Sequence, residues 1–225
     1  MAKDDGLTGI SAVTAAHFCP LRLYLDRQEE HEEPPRYAVC KQVSYHLGTG
    51  PLDPAAVWAE IAAVLPYAGE AEHALFAQCI EACTDVEWIP FSDTDVPVSS
   101  PALGIRGTVD KADPALPGFA ITRSSEAPLV GVHGADRLRI ACYAACVRET
   151  LGIDVPGGWV EYVPSGVIRF CTPGPRDRRA MLRAIAAAKE VEAGTIPRKP
   201  LNPPCDRCPH GERCSPGPRR LSDLL

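Results

Sequence analysis

LGIRGTVD, residues 103–110, followed after a short break by FAIT, residues 119–122, is the stretch on which the fold turns. β-Branched and aromatic residues recur here between glycine and proline breaks, which predicts two neighbouring strands. Next comes ADRLRIACYAACVRETLG, residues 135–152, whose apolar residues fall at helical spacing up to a glycine stop. GGWVEYV (157–163) and GVIRF (166–170) then read as a hairpin pair, and RDRRAMLRAIAAAKEVEAG (176–194) as a long helix. Working backwards, VEWIPF (86–91) and DVPVS (95–99) read as further strands, and the chain before them is mostly helical. ISAVTAAHF (10–18) and LRLYLDR (21–27) are two short helices parted at Cys19-Pro20, where proline interrupts the hydrogen-bond ladder. The acidic stretch from Glu29 to Pro35 reads as an exposed loop. Asp53 and Pro54 form an N-cap and first-turn proline for AAVWAEIAAVL, and GEAEHALFAQCIEAC (69–83) supplies another helix. This order predicts one α/β or α+β domain over 1–225. Its parts are a helical portion at 1–83, an α/β core at 84–194 and a cysteine-rich tail at 195–225.

With 225 residues and 45% hydrophobic content the chain can bury one sizeable core, and it lacks an apolar run long enough for a membrane span. The opening MAKDDGLTG lacks the basic and apolar segments of an export signal, so a cytoplasmic location is expected. Reduced thiols are the rule there, and ten cysteines then point to metal ligands and core residues rather than disulfides. The formal charge of −6 conceals an asymmetry: residues 1–122 carry 7 Lys+Arg against 18 Asp+Glu, residues 123–225 carry 16 against 11. Much of the excess is arginine, including Arg137, Arg139, Arg176, Arg178, Arg179, Arg183, Arg213, Arg219 and Arg220. A guanidinium fork matches phosphate oxygens, so this half is a candidate DNA-facing surface; ordinary solvated helix faces would look the same.

In CDRCPHGERC, residues 205–214, one tight turn can aim Cys205 and Cys208 at a common metal centre, and Cys214 follows six residues later. Zinc and cubane iron–sulfur centres both take four soft ligands, and Cys19 is the candidate for the fourth, with His210 as its rival. Cys79/Cys83 and Cys142/Cys146 sit four apart inside apolar helical patterns, while Cys40 and Cys171 stand alone; all six read as core or surface thiols. Thiolate spacing alone does not separate zinc from iron–sulfur.

FCPLRLYLDR near the start, GTVDKAD in mid-chain, ADRLRIACYAACVRE after it and CDRCPHGERC at the end resemble, in that order, the CRISPR-associated RecB-like exonucleases, the Cas-four family. The resemblance spans the chain. It implies a restriction-endonuclease-like PD-(D/E)XK core with a C-terminal segment holding a 4Fe–4S cluster on Cys19, Cys205, Cys208 and Cys214. It further implies metal-dependent exonuclease action on single-stranded DNA or DNA ends with Mg²⁺ or Mn²⁺, a part in CRISPR spacer acquisition beside integrase proteins, and admits a homo-oligomer. Asp110 matches the family's first metal-binding carboxylate and His46 falls where its metal histidine lies, although a surface or capping histidine would also fit.

The next strand departs from the family. FAITRSS places Ile121 where the second acid belongs and Arg123 where the lysine belongs. Isoleucine cannot hold a metal, and arginine stays charged and cannot act as a base. Glu126 and Asp113 are the nearby acids, neither at the family spacing. Arg139 stands for the family's glutamine, and Tyr143 keeps its tyrosine, which a core aromatic would equally explain. With Arg137, Arg123 and Arg139 are expected to form a cationic phosphate-binding site. Three readings follow: a metal-dependent nuclease, a catalytically degenerate DNA- or partner-binding module, and a zinc-stapled structural protein.

Overall fold

The computed structural model describes residues 6–29, 33–116, 118–201, 205–211 and 214. Arg213, Arg219 and Arg220 lie outside them. Seven α-helices and a six-stranded sheet are present among the described residues: β1 (Thr8–Gly9), α1 (Ile10–Phe18), α2 (Pro20–Asp26), α3 (Pro35–His46), α4 (Pro54–Val64) and α5 (Glu70–Cys83), then β2 (Asp93–Ser100), β3 (Ile105–Ala112), β4 (Phe119–Arg123), α6 (Gly134–Leu151), β5 (Gly158–Tyr162), β6 (Val167–Cys171) and α7 (Pro175–Glu192). No helix among the described residues is long and apolar enough to cross a membrane.

The sheet is mixed. β2, β3 and β4 form an antiparallel meander, α6 carries the chain across to β5, which runs parallel to β4, and β6 returns antiparallel beside it. The short β1 lies parallel to the start of β3. Ile121 and Val160, paired across β4 and β5, are buried with α1, α6 and α7, whereas their neighbours Thr122 and Glu161 reach Ser44 of α3. Because side chains alternate along a strand, α3 must cover the opposite face, so the sheet is the middle of three layers. α3, α4 and α5 enclose a second core built on Val39, Val43, Val57, Ile61 and Phe76.

Several local expectations are met. Asp53 caps α4 through its carboxylate, which accepts from the amides of Ala55 and Ala56, and Gly152 ends α6 in the left-handed conformation. Pro20 opens α2, so Cys19 does lie at a helix junction. Residues 86–91 differ from expectation and form no strand. Trp88 and Phe91 are buried there, and the indole N–H donates to the Cys83 carbonyl, so the segment packs as irregular chain under the helical core. Cys40 is not isolated either, since its sulfur lies 4.0 Å from that of Cys79.

Candidate functional site

β3 brings Asp110 to a cleft of about 720 Å³ that is also lined by Tyr37 and Lys41 of α3, Asp95 of β2, Gly107 and Tyr143. Asp95 has φ +50°, and the β2–β3 ladder is interrupted between the Val96–Val109 and Thr94–Lys111 pairs. Left-handed backbone at this one residue breaks the regular strand geometry locally while the register on either side stays the same. Val109 and Ala112 both join the core against α1, α6 and α7, although strict alternation would separate them. Between them, Asp110 meets Tyr37 and Lys111 meets Glu161.

Asp110 is 7% exposed. Its Oδ1 accepts from the Tyr37 hydroxyl at 2.7 Å and its Oδ2 from the Thr122 amide at 2.7 Å. Burial raises its pKa above the usual carboxylate range, and the two hydrogen bonds oppose that rise only in part. Tyr143 can lie over β3 because residue 107 is glycine. A Cβ there would fall 2.9 Å from Tyr143 Cε1 and 3.1 Å from Ile10 Cδ1. Asp95 is held by Lys41 at 2.8 Å and by the Tyr45 hydroxyl at 2.5 Å.

Behind Asp110 lies a buried polar network that the sequence reading missed. Lys111 (2% exposed) and Glu161 (0%) are paired at 3.0 Å, Ser44 donates to Glu161 at 2.7 Å, and Thr122 donates to Ser44 at 2.9 Å. Burial pushes the Glu161 pKa up, against the opposing pull of Lys111. An Asp, a Glu and a Lys therefore sit near one another, but Lys111 and Glu161 are sealed from solvent. His46 lies at the end of α3, paired with Glu60 at 2.9 Å, and does not line the Asp110 cleft.

Ile121 is buried in the core. Arg123 and Arg139 converge on one carboxylate, that of the buried Asp136. Arg139 Nη1 donates to Oδ1 at 3.1 Å, and Arg123 Nε lies 2.8 Å from the same oxygen as a charge contact without hydrogen-bond alignment. Tyr162 donates to the other oxygen at 2.9 Å. Burial and the neighbouring Arg123 lower the Arg139 pKa. Both arginines border a groove of about 1010 Å³ between α1, α2, the start of α6 and the tail; its wall also carries His17, Arg22, Asp26, Glu29 and Asp206. Arg137 is not part of this group, because Asp177 of α7 takes its guanidinium at 2.7 Å.

The tail returns to the first helices. Cys19, Cys205, Cys208 and Cys214 line one small cavity together with Phe18, Arg22, Leu25 and Lys199. Two tight turns shape it: the Cys208 amide donates to the Cys205 carbonyl and the Gly211 amide to the Cys208 carbonyl. His210 turns away, its Nε2 lying 2.6 Å from Asp26 Oδ1. Among the described residues, no three His, Cys, Asp or Glu side chains are gathered closely enough to hold a single metal ion. The four thiols border a space rather than meet at a point. A tetrahedral zinc with Zn–S near 2.3 Å would draw its sulfurs to about 4 Å from one another, whereas the ligands of a cubane stand apart by the width of the cluster. The other six cysteines are all buried.

No protein-family model and no curated protein matches this chain. Among solved structures, it is similar to a crystal structure from Eubacterium rectale described as a "putative exonuclease", with a TM-score of 0.59 at 12% identity over 98% of this chain and 93% of that one. The two share a mixed α/β fold.

Proposed function

We propose that this chain is an iron–sulfur protein of nuclease-like fold that binds DNA ends and has exchanged its cutting centre for a binding one. The observation that carries the reading is the pair of guanidiniums on Asp136. One carboxylate offsets only one of the two charges of Arg123 and Arg139, which leaves one positive charge in excess at this cluster, where a phosphate would be the natural second anion; the acids of the groove wall, Asp26, Glu29 and Asp206, lie apart from it on α2 and the tail side.

Cleavage is disfavoured by the donors around Asp110. Hard divalent cations want several free oxygens, but Ile121 offers none, Asp95 is already clamped by Lys41 and Tyr45, and both oxygens of Asp110 already accept hydrogen bonds, from Tyr37 and the Thr122 amide. The residues therefore do not fit a Mg²⁺ or Mn²⁺ site of the two-carboxylate kind. Cys19, Cys205, Cys208 and Cys214 line one cavity and supply the number and kind of ligand that a 4Fe–4S cluster takes, and such a cluster would staple the tail to the first helices.

A second reading has one observation in its favour. Asp95 and Lys41 line the same cleft as Asp110 and could stand in for the missing acid and lysine. A single experiment separates the two readings: single-stranded and duplex DNA binding, with cleavage in Mn²⁺, for wild type, Arg139→Gln, Asp110→Asn and Asp95→Asn. Binding that weakens in Arg139→Gln with no cutting supports the first reading. Cutting that needs Asp110 and Asp95 replaces it with the second, and absence of both binding and cutting ends both.

A further inference from the structure

α7 packs its buried residues Met181, Ala184, Ile185, Ala188 and Val191 inward, and its outer face is basic. At 3.6 residues per turn, Arg176, Arg179 and Arg183 fall in one row away from that buried side, over about 10 Å of helix, and Arg178 is exposed about 100° round the helix from Arg179. All four are exposed, and none has an acidic partner among the described residues. Asp177, the acid of the first turn, is turned to Arg137 and to the Gly174 amide, so it neutralises none of them.

The arrangement works against the helix that carries it. Arg176/Arg179 and Arg179/Arg183 are like-charged neighbours at i,i+3 and i,i+4, and three of the arginines crowd the end where the helix dipole favours acids. No acid among the described residues offsets this repulsion, whereas a polyanion would. The row also has a direction. Burial first and then the charge of Arg183 lower the pKa of His17, and His17 lines the groove that Arg123 and Arg139 border. α7 packs directly on α1, so Arg183 lies beside the edge of α1 where His17 meets the groove.

We propose that the outer face of α7, through Arg176, Arg178, Arg179 and Arg183, is a docking strip for the phosphate backbone of DNA, leading the strand to the groove of Arg123 and Arg139. The inference rests on the DNA-binding reading above and adds the path the strand takes.

The test is fluorescence anisotropy of a labelled single-stranded oligonucleotide with the full chain over a series of salt concentrations. It compares wild type, Arg176→Gln/Arg179→Gln/Arg183→Gln, and Arg148→Gln, which removes one exposed charge from α6. Each phosphate contact contributes about 0.7 to the slope of log affinity against log salt for single strands. The triple variant should lose about 2 from that slope and bind at least tenfold more weakly at low salt, with Arg148→Gln close to wild type. Its melting temperature should stay level or rise, since a repulsion has been removed. A wild-type slope and affinity in the triple variant would overturn the strip and leave the DNA reading standing. A wild type that binds no DNA would overturn both.

Discussion

His210 Nε2 lies 2.6 Å from Asp26 Oδ1, a contact spanning 184 residues that fastens the cysteine-bearing tail to α2. Both groups are largely buried, and Asp26 is shared with Arg22 at 3.3 Å. Hydrogen bonds to charged groups are worth roughly 1.5–3 kcal/mol. His210→Ala should lower stability by about that much in urea unfolding, and limited proteolysis should then release the tail before the rest of the chain. A tail that stays as resistant as in wild type would show that the cysteine segment is held by other means.

Lys111 and Glu161 give a sharper stability experiment. Lys111→Met leaves a buried carboxylate without its cation, and breaking such a pair costs about 3–5 kcal/mol. Lys111→Met/Glu161→Leu removes both charges and should recover much of the loss. Equilibrium unfolding of both variants checks this; equal damage in the two would mean that the pair acts through packing and not charge.

Asp110 makes the fold sensitive to alkali. Burial raises its folded pKa above the unfolded value near 3.9. The stability it contributes is therefore complete below that unfolded value and is lost as pH rises through the folded one. Asp110→Asn should flatten this decline and melt higher than wild type at pH 8, while the two proteins converge near pH 4. Glu161, raised by the same cause, keeps part of the slope in both.

Gly107 is a spacing residue for Tyr143. Gly107→Ala places a methyl 2.9 Å from the tyrosine ring and should cost roughly 1–3 kcal/mol by overpacking. Tyr143→Ala clears that space, so Gly107→Ala should be far less harmful in that background. A double-mutant cycle measures the coupling.

For the cysteines the expectation is chemical. Protein purified without oxygen should contain iron and sulfide in equal amounts and absorb in the visible. Cys19→Ser and Cys208→Ser should lose both signals, and Cys79→Ser should keep them. Stoichiometric zinc in colourless protein would replace the cluster with a zinc staple.

The elements were legible where the local signal was complete. α7 shows an apolar helical face, α4 opens on Asp53-Pro54, and α6 stops at Gly152. α3 is less legible, because the acidic, proline-bearing stretch Glu29–Pro35 beside it carries the stronger local signal, that of a loop. Its own signal is visible in retrospect: Pro35 at the first helical position, then Val39, Val43 and Leu47 at intervals of four. That masking hides most of the site, since Tyr37, Lys41 and Ser44 all come from α3. The partners of Lys111 were not legible at all. β3 and β5 are not neighbours, so only the ordering of the sheet brings Glu161 to it. The two-residue β1 carries too little pattern to be read. The four cysteines were read together from spacing and resemblance, and they line one cavity.

The distance along the chain between Asp26 and His210 also sets an order of events in the cell. At about 5–20 residues per second, a ribosome needs roughly ten to forty seconds to travel those 184 residues. During that interval Cys19 is exposed on a nascent chain whose partner thiols have not been made. The proposed metal centre could close only after the sheet and α7 have been synthesised, so a chain cut short before Cys205 would lack it together with the His210 contact to Asp26 on α2. Loading of the proposed centre would thus report that synthesis has passed Cys214.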